Sequence, residues 1–535
     1  MNQLQQPEQT SQNPQQTFRW RPGAVILGVG AVCELAVWRL LSPDRTMQVF
    51  ASLPVIFGTL GLLVTWWFRW SGLSRRAKWT GAAVVGGLCL IGAALFRLEG
   101  FEGAMIPQWT WRWSPSTDKL PDSYWRSLQV SNSPNKPVVP SQQLTVTEAD
   151  WPGFRGPRRN GVVVGTKLRT DWNQRPPELL WRHAVGLGWS SFAVVDGLAF
   201  TQEQRKDKEV VVCYKFDTGR QVWTHADTCR FSEILGGDGP RATPTVFDSR
   251  VYALGATGIL NCLNAVDGRL LWSRNILKDA HAKNLMWGMA GSPLIYKNKV
   301  IVVPGGKHGR QVIAYDCKTG EIVWSGGSHS AGYAAPRVET VNGVTELLVF
   351  GGEGLSGFDP ETGRELWFIS WPTNEGINAV QPILYRQKAI MISSGYGRGA
   401  ALFDIEWPKG ERFWRPRQPP RWRSRRLKLK FNGAVLKGDY VYGLDEGILT
   451  CLDMRTGKRM WKGGRFGYGQ LLLVGDVLLV QAESGEVVLV EATPKRFQKL
   501  AQLTALHGKT WNHPVLCRGR LLVRNAEEAA CFSVE

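Results

Sequence analysis

No two of the nine cysteines in this 535-residue chain are adjacent, and no Cys-x-x-Cys occurs. That removes a zinc ribbon and a thioredoxin-like redox site. The seven histidines are scattered, with no His-x-x-x-His or His-Glu-x-x-His pair to seat a catalytic metal. Gly-x-Ser-x-Gly, the turn that presents a hydrolase serine, is absent. "GGKHGR" (305–310) has the glycines of a phosphate loop, but no helical pattern follows whose N-terminus could hold the anion. Acid is in short supply: 65 Lys and Arg face 45 Asp and Glu, a net charge of +20. That balance favours anionic partners or surfaces without choosing among them. Long helical patterns are few, whereas glycine (59) and tryptophan (25) are abundant, the composition of β structure with many turns.

Helical patterns are concentrated at the start. Residues 1–21 form a polar, Gln-rich tail, expected to be disordered. Three apolar runs follow within 22–97, at 22–41, 47–68 and 79–96, each about long enough to cross a bilayer. Three runs with short loops cannot be one cleaved signal peptide. The alternative, three buried helices of a soluble domain, is disfavoured because the runs carry only Glu34 and Arg39 as internal charges. Arg19, Arg21, Arg69, Arg75, Arg76 and Lys78 flank one side, and Arg45 and Arg97 the other. This bias predicts a multi-pass inner-membrane (cytoplasmic membrane) anchor with its N-terminus in the cytoplasm and everything after residue 97 on the periplasmic side. Glu34 is expected to pair within the bundle. Residues 98–150 read as an interfacial segment, with Trp109, Trp111 and Trp113 suited to a membrane–water boundary, followed by a Pro/Ser-rich tether.

From Trp151 the chain repeats itself. "DTGRQVW" ends at Trp223, "VDGRLLW" at Trp272, "DCKTGEIVW" at Trp324, "DPETGRELW" at Trp367, "WPKGERFW" at Trp414 and "DMRTGKRMW" at Trp461, with spacings of 49, 52, 43, 47 and 47 residues. Each copy has a glycine four residues before the tryptophan. The pattern is a turn in which glycine supplies positive φ, then a strand whose indole packs on a neighbour. Two or three short strand patterns precede each turn, giving four strands per unit, the content of a β-propeller blade. Trp181 has an outer strand without inner ones, and the C-terminus has inner strands without an outer one. The expected fold is therefore an all-β, eight-bladed propeller over 151–535, closed by pairing of strand 178–185 with the last blade, with Phe497 standing for tryptophan in blade seven. Cys213, Cys262 and Cys451 fall six residues before the turn glycine, and Cys531 at the matching place. They are expected to be packing residues.

These "DxxTGxxxW" repeats, with "WPGFRGPRRNGVV" (151–163) and "GKTWNHPVLCRGRLLVRNAEEAACF" near the end, resemble the pyrroloquinoline quinone (PQQ) repeat superfamily. It includes quinoprotein dehydrogenases and the assembly lipoprotein BamB, and the entry and C-terminal segments are similar to those of planctomycete-type members. The resemblance implies a propeller, and for the dehydrogenases a PQQ stacked between a Trp and a disulfide of adjacent cysteines, a Ca²⁺ on Glu, Asn or Asp, and an Asp base. The adjacent cysteines are missing here.

Ligands of propellers sit at a channel mouth, near the lead-ins to the innermost strands. That position selects Arg241, Trp287, Glu375, Asn378, Lys430, Asn432, Trp511, Asn512 and His513. Glu375 and Asn378 could offer oxygens to a hard cation, and Trp287 or Trp511 could stack a flat ligand. The alternative is that these groups line a wet channel or satisfy backbone. No residue is assigned a catalytic role, and no metal site is assigned. "RPRQPPRWRSRRLKLK" (415–430), eight positive charges in sixteen residues, is expected to be an inter-blade loop running into the first strand of blade six. It could meet an anionic surface or an envelope protein; nucleic acid is not expected outside the cytoplasm. The leading expectation is a membrane-anchored binding or scaffold module; the alternative is a PQQ- and Ca²⁺-dependent oxidoreductase passing electrons to membrane quinone.

Overall fold

The computed structural model of the chain describes residues 18–40, 45–129, 143–373 and 376–535. Most of the Gln-rich tail and the middle of the tether fall outside the described residues. The chain divides into two compact units, Met1–Glu99 with Gln108–Ser114, and Gly100–Pro107 with Pro115–Glu535.

In the first unit the apolar runs are helices: α1 (Arg21–Leu40), α2 (Arg45–Arg69) and α3 (Arg75–Leu95). All three are long and apolar enough to cross a membrane. Glycine lets α1 and α2 approach closely, since a Cβ on Gly30 would lie 2.6 Å from Thr59. Between the same helices the Ser52 hydroxyl donates to Glu34 Oε2 at 2.7 Å, so this acid does have a partner in the bundle. Ser74 caps the start of α3, and the Arg112 guanidinium donates to the carbonyls of Ala93 and Ala94 at its end. Trp109, Trp111 and Trp113 are exposed.

The second unit is an eight-bladed propeller. Blades one to seven occupy residues 193–227, 245–275, 294–326, 337–370, 383–424, 435–465 and 470–504. Blade eight joins three C-terminal strands to Glu178–Ala184, with Cys531 opposite Trp181. The ring thus closes as expected, leaving no open edge between the first and last blades. The residue facing each docking indole across its blade is small: Cys213 faces Trp223, Cys262 Trp272, Ala314 Trp324, Gly357 Trp367 and Cys451 Trp461. The cysteines in these positions are buried free thiols, filling the space that a large indole leaves beside it. The indoles bridge blades: Trp181, Trp223, Trp272 and Trp461 donate to the carbonyls of Phe216, Ala265, Cys317 and Thr493 at 2.7–3.1 Å.

Blade five departs from the expected register. Trp414 is fully buried, beside Trp367 at 5.8 Å, and donates toward Val344 of the preceding blade. The docking indole is Trp422, eight residues later, on the strand Trp422–Ser424. It donates to Met454 of blade six. Part of the basic stretch is therefore blade five's outer strand rather than a loop, and the first strand of blade six begins only at Val435. In blade seven the outer strand is Lys499–Thr504, and Phe497 lies before it, 6.0 Å from Trp461. It receives an indole instead of replacing one.

The segment read as a tether also departs. Asp122–Ser127 is a short helix whose buried Trp125 lies 3.8 Å beneath the Arg205 guanidinium, while the Tyr124 hydroxyl accepts from Ala184 N. These residues are bound to blades one and eight. Pro and Ser content signalled irregular backbone there but could not show that two aromatics anchor it.

Candidate functional site

The entry segment 151–163 lies across the propeller axis. Trp151 exchanges backbone hydrogen bonds with Val194 of blade one, and Val246 N of blade two donates to Pro152. Arg159 donates to Pro293 and Ser292 of blade three at 3.0 and 2.9 Å. Arg155 donates to Ala434 ahead of blade six, Phe154 packs edge-on at 4.9 Å against His513 of blade eight, and Val162–Val163 pairs with blade seven. A short stretch that meets six blades has to occupy the hole they surround. The Gly-rich spelling suits this crowding: a Cβ on Gly156 would lie 2.8 Å from Trp151, and its φ of +83° is open to glycine.

Arg155, Arg159 and Arg337 are buried around this axis. Burial, and then the charge of Arg337, pushes Arg155 and Arg159 down to about 9, so both remain protonated at neutral pH. Burial and the nearby Arg155 hold His513 well below the usual histidine range, which keeps it neutral.

A second cluster forms around residues 100–103. Glu483 Oε1 accepts from Gly103 N and from Trp511 Nε1, each at 2.7 Å, and its Oε2 accepts from Tyr468 N at 3.0 Å. Lys430 Nζ donates to the Gly103 carbonyl at 2.8 Å and lies 4.6 Å above the Tyr468 ring. Lys509 sits 4.7 Å from the Trp511 ring and donates to Phe101 O. Trp189 and Phe431 pack at a tilt against Trp511, with ring centroids at 4.8 and 5.0 Å. A Cβ at Gly103 would fall 2.1 Å from Tyr468, so glycine is what lets the segment seat there.

Of the residues expected at the mouth, Lys430 and Trp511 are brought together, in contact with the chain's own backbone. Arg241 and Trp287 form another group: Arg241 bonds the carbonyls of Gly237 and Gly239 over Phe231, and Trp287 lies 5.6 Å from Tyr333. Burial pushes Arg241 down to about 10. The three asparagines pin backbone. Asn378 donates to Gly351, Gly352 and Trp371 carbonyls and accepts from Ser394; Asn432 donates to Leu444; Asn512 donates to Gly188 and Ser190. With its amide committed in this way, Asn378 does not offer its oxygen to a cation. Glu375 lies outside the described residues. Sequence reasoning missed Glu483, Lys509, Arg155, Arg159 and Arg337. Lys509 was signalled by its place beside Trp511, and the two entry arginines by their glycine-rich surroundings; Glu483 and Arg337 sit in ordinary strand–turn contexts that carry no signal.

The residues do not fit the PQQ and Ca²⁺ arrangement that the resemblance implies. All nine cysteines are free thiols, and the axis is crossed by Phe154 and two arginines. Among the described residues no group of three or more His, Cys, Asp or Glu is placed to hold a metal ion.

The family model described as outer membrane protein assembly factor BamB, a PQQ-repeat family, matches residues 172–275 and 207–463. BamB of Salmonella typhimurium is 25% identical over 296 residues, 53% of this chain and 71% of that protein. The quinohemoprotein alcohol dehydrogenase ADH-IIG of Pseudomonas putida is 34% identical over 142 residues, 24% of this chain, and the match spans only 19% of that enzyme. Among solved structures, the quinohemoprotein alcohol dehydrogenase of Comamonas testosteroni superposes with a TM-score of 0.52 at 14% identity, covering 78% of this chain and 83% of that one.

Proposed function

Since the chain belongs to the PQQ-repeat propeller family described as outer membrane protein assembly factor BamB, we propose that it serves as a membrane-anchored binding module of the cell envelope. The observation that carries this reading is the use of both candidate ligand positions by the chain itself. Segment 151–163 crosses the axis, and residues 100–103 occupy the aromatic–cationic cluster. Loops and outer strands are then the surfaces left for recognition. The three helices supply the inner-membrane anchor, and the bias of flanking charge sets the N-terminus inside and the propeller outside.

The segments flanking blade five's outer strand are the docking surface in this reading. Arg415 pairs with Glu406, Arg421 with Asp404 and Lys428 with Asp445, Arg423 lies over the Trp371 ring and Lys430 bonds Gly103, which leaves Arg417, Arg425 and Arg426 exposed to meet an acidic partner. Photo-crosslinking from positions 417 and 425 in intact cells tests this. The expected result is a discrete adduct with an envelope protein, lost in the Arg417→Glu/Arg425→Glu/Arg426→Glu variant. Absence of adducts, or adducts indifferent to the charge reversal, overturns it.

The match to an alcohol dehydrogenase favours a second reading, a PQQ- and Ca²⁺-dependent oxidoreductase. It would require Trp287 or Trp511 to stack the quinone without a disulfide on its other face, which is why it ranks below the first.

A further inference from the structure

The axial arginines carry more positive charge than their surroundings neutralise. Three guanidinium groups lie around the entry segment, Arg155 and Arg159 buried and Arg337 nearly so, and among the described residues the carboxylate beside them is Glu339, paired to Arg337. Three cations less one anion leave an excess of two charges. His513, the remaining titratable group facing the cluster among the described residues, is neutral and adds none.

Their hydrogen bonds do not use all the donors. Arg155 gives Nη2 to the Asn160 and Ala434 carbonyls, Arg159 gives both Nη atoms to Pro293 and Ser292, and Arg337 gives Nη1 to Pro382. The Nε–H of each is buried with no acceptor, and so is His513 Nδ1. Carbonyl oxygens orient guanidinium groups but do not cancel their charge. Arg159 keeps 9% exposure, and the side chains of Arg337 and Glu339 keep 11% and 12%, so solvent reaches the cluster. Buried charge of one sign with unused donors is the chemistry that recognises an oxyanion.

We propose that Arg155, Arg159 and Arg337 form a binding site for a small dianionic oxyanion, of the phosphate or sulfate class, on the propeller axis. The dianion supplies the two missing charges and accepts from the three unused Nε–H groups. Because Arg155 and Arg159 come from the entry segment and Arg337 from blade four, the bound ion ties the segment that crosses the axis to the ring around it. The inference is independent of the docking function above.

The test uses the full-length protein in detergent, exchanged into chloride buffer free of phosphate and sulfate. Inorganic phosphate is titrated at constant ionic strength, with binding read by radiolabel and by the shift in Tm. One phosphate per chain is expected, saturable and stabilising, with sulfate competing. Arg159→Gln should weaken binding at least tenfold. Glu339→Gln removes the competing carboxylate and should strengthen it severalfold. This second variant keeps all three arginines, so it decides the matter even if Arg159→Gln does not fold. No saturable binding to the wild-type chain, or binding indifferent to Glu339→Gln, overturns the proposal; the latter would assign the phosphate to the basic exterior. Competition by sulfate at equal strength identifies a general tetrahedral dianion site, and phosphate alone a selective one.

Discussion

The Trp422 indole donates its Nε1–H to the Met454 carbonyl oxygen at 2.7 Å, joining blade five to blade six. The turn glycine of blade six makes this possible: a Cβ on Gly457 would lie 2.7 Å from the ring, and its φ is +70°. Gly457→Ala is expected to cost about 2–3 kcal/mol, from overpacking the indole and from backbone strain. Gly438→Ala, at a φ of +58° with open space around it, should cost about 1 kcal/mol, from backbone strain alone. Denaturant unfolding of the two variants separates docking from backbone preference. Equal losses would remove the docking role assigned to Trp422.

Glu346 is a pH handle within the ring. Burial pushes its carboxyl up to about 8, opposed by the hydrogen bond from Trp367 Nε1 at 2.8 Å. Its folded pKa is above the unfolded value near 4.5, so the folded state binds the extra proton. This contribution to stability is complete below about 4.5 and is lost as pH rises through about 8. Glu346→Gln keeps an acceptor for the indole and cannot ionise. Its Tm should exceed the wild-type value at pH 9 and converge toward it at pH 5; parallel profiles would contradict this.

The thiols titrate in a higher window. Burial pushes Cys262, Cys451 and Cys531 up to about 12 and half-buried Cys229 to about 11. Native protein at pH 8 should resist alkylation at the three strand cysteines until it unfolds. The same shifts favour the folded state fully below about 9 and lose that contribution as pH rises toward 12. Rapid labelling of Cys262 or Cys451 without loss of structure would count against their packing role.

Glu483 joins residues 100–103 to the rest of the cluster through three accepted hydrogen bonds. Glu483→Ala leaves Gly103 N, Tyr468 N and the Trp511 indole without that acceptor and should cost about 2–4 kcal/mol. The effect should be local first: faster hydrogen exchange at Gly103 and new proteolysis near it. Unchanged exchange there would mean that the segment is held by Lys430 and Lys509 alone.

Much of the fold was legible because indole docking repeats as a pattern. A turn glycine, a tryptophan four residues on and a small residue opposite are local choices, and they fixed the blade count and the closing strand. Trp414 misled because an insertion in blade five separates the sequence motif from the indole that docks; both tryptophans are apolar, and only the ring they meet distinguishes them. The site was far less legible. Lys430 and Trp511 were selected by position, but Gly103 lies 327 residues from Lys430 and Glu483 lies 28 residues from Trp511, in the neighbouring blade, and no local pattern pairs them. The two entry arginines were marked only by the glycines of "FRGPRRNG", which do not show that six blades enclose them, and Arg337 carried no mark at all.

The most direct test of the binding-module account is a titration of the full-length protein with PQQ, with and without Ca²⁺, followed by tryptophan fluorescence. The account predicts no saturable, Ca²⁺-dependent quenching. Saturable quenching at micromolar levels or tighter, abolished in Trp287→Ala or Trp511→Ala, would contradict it and make the chain a quinoprotein.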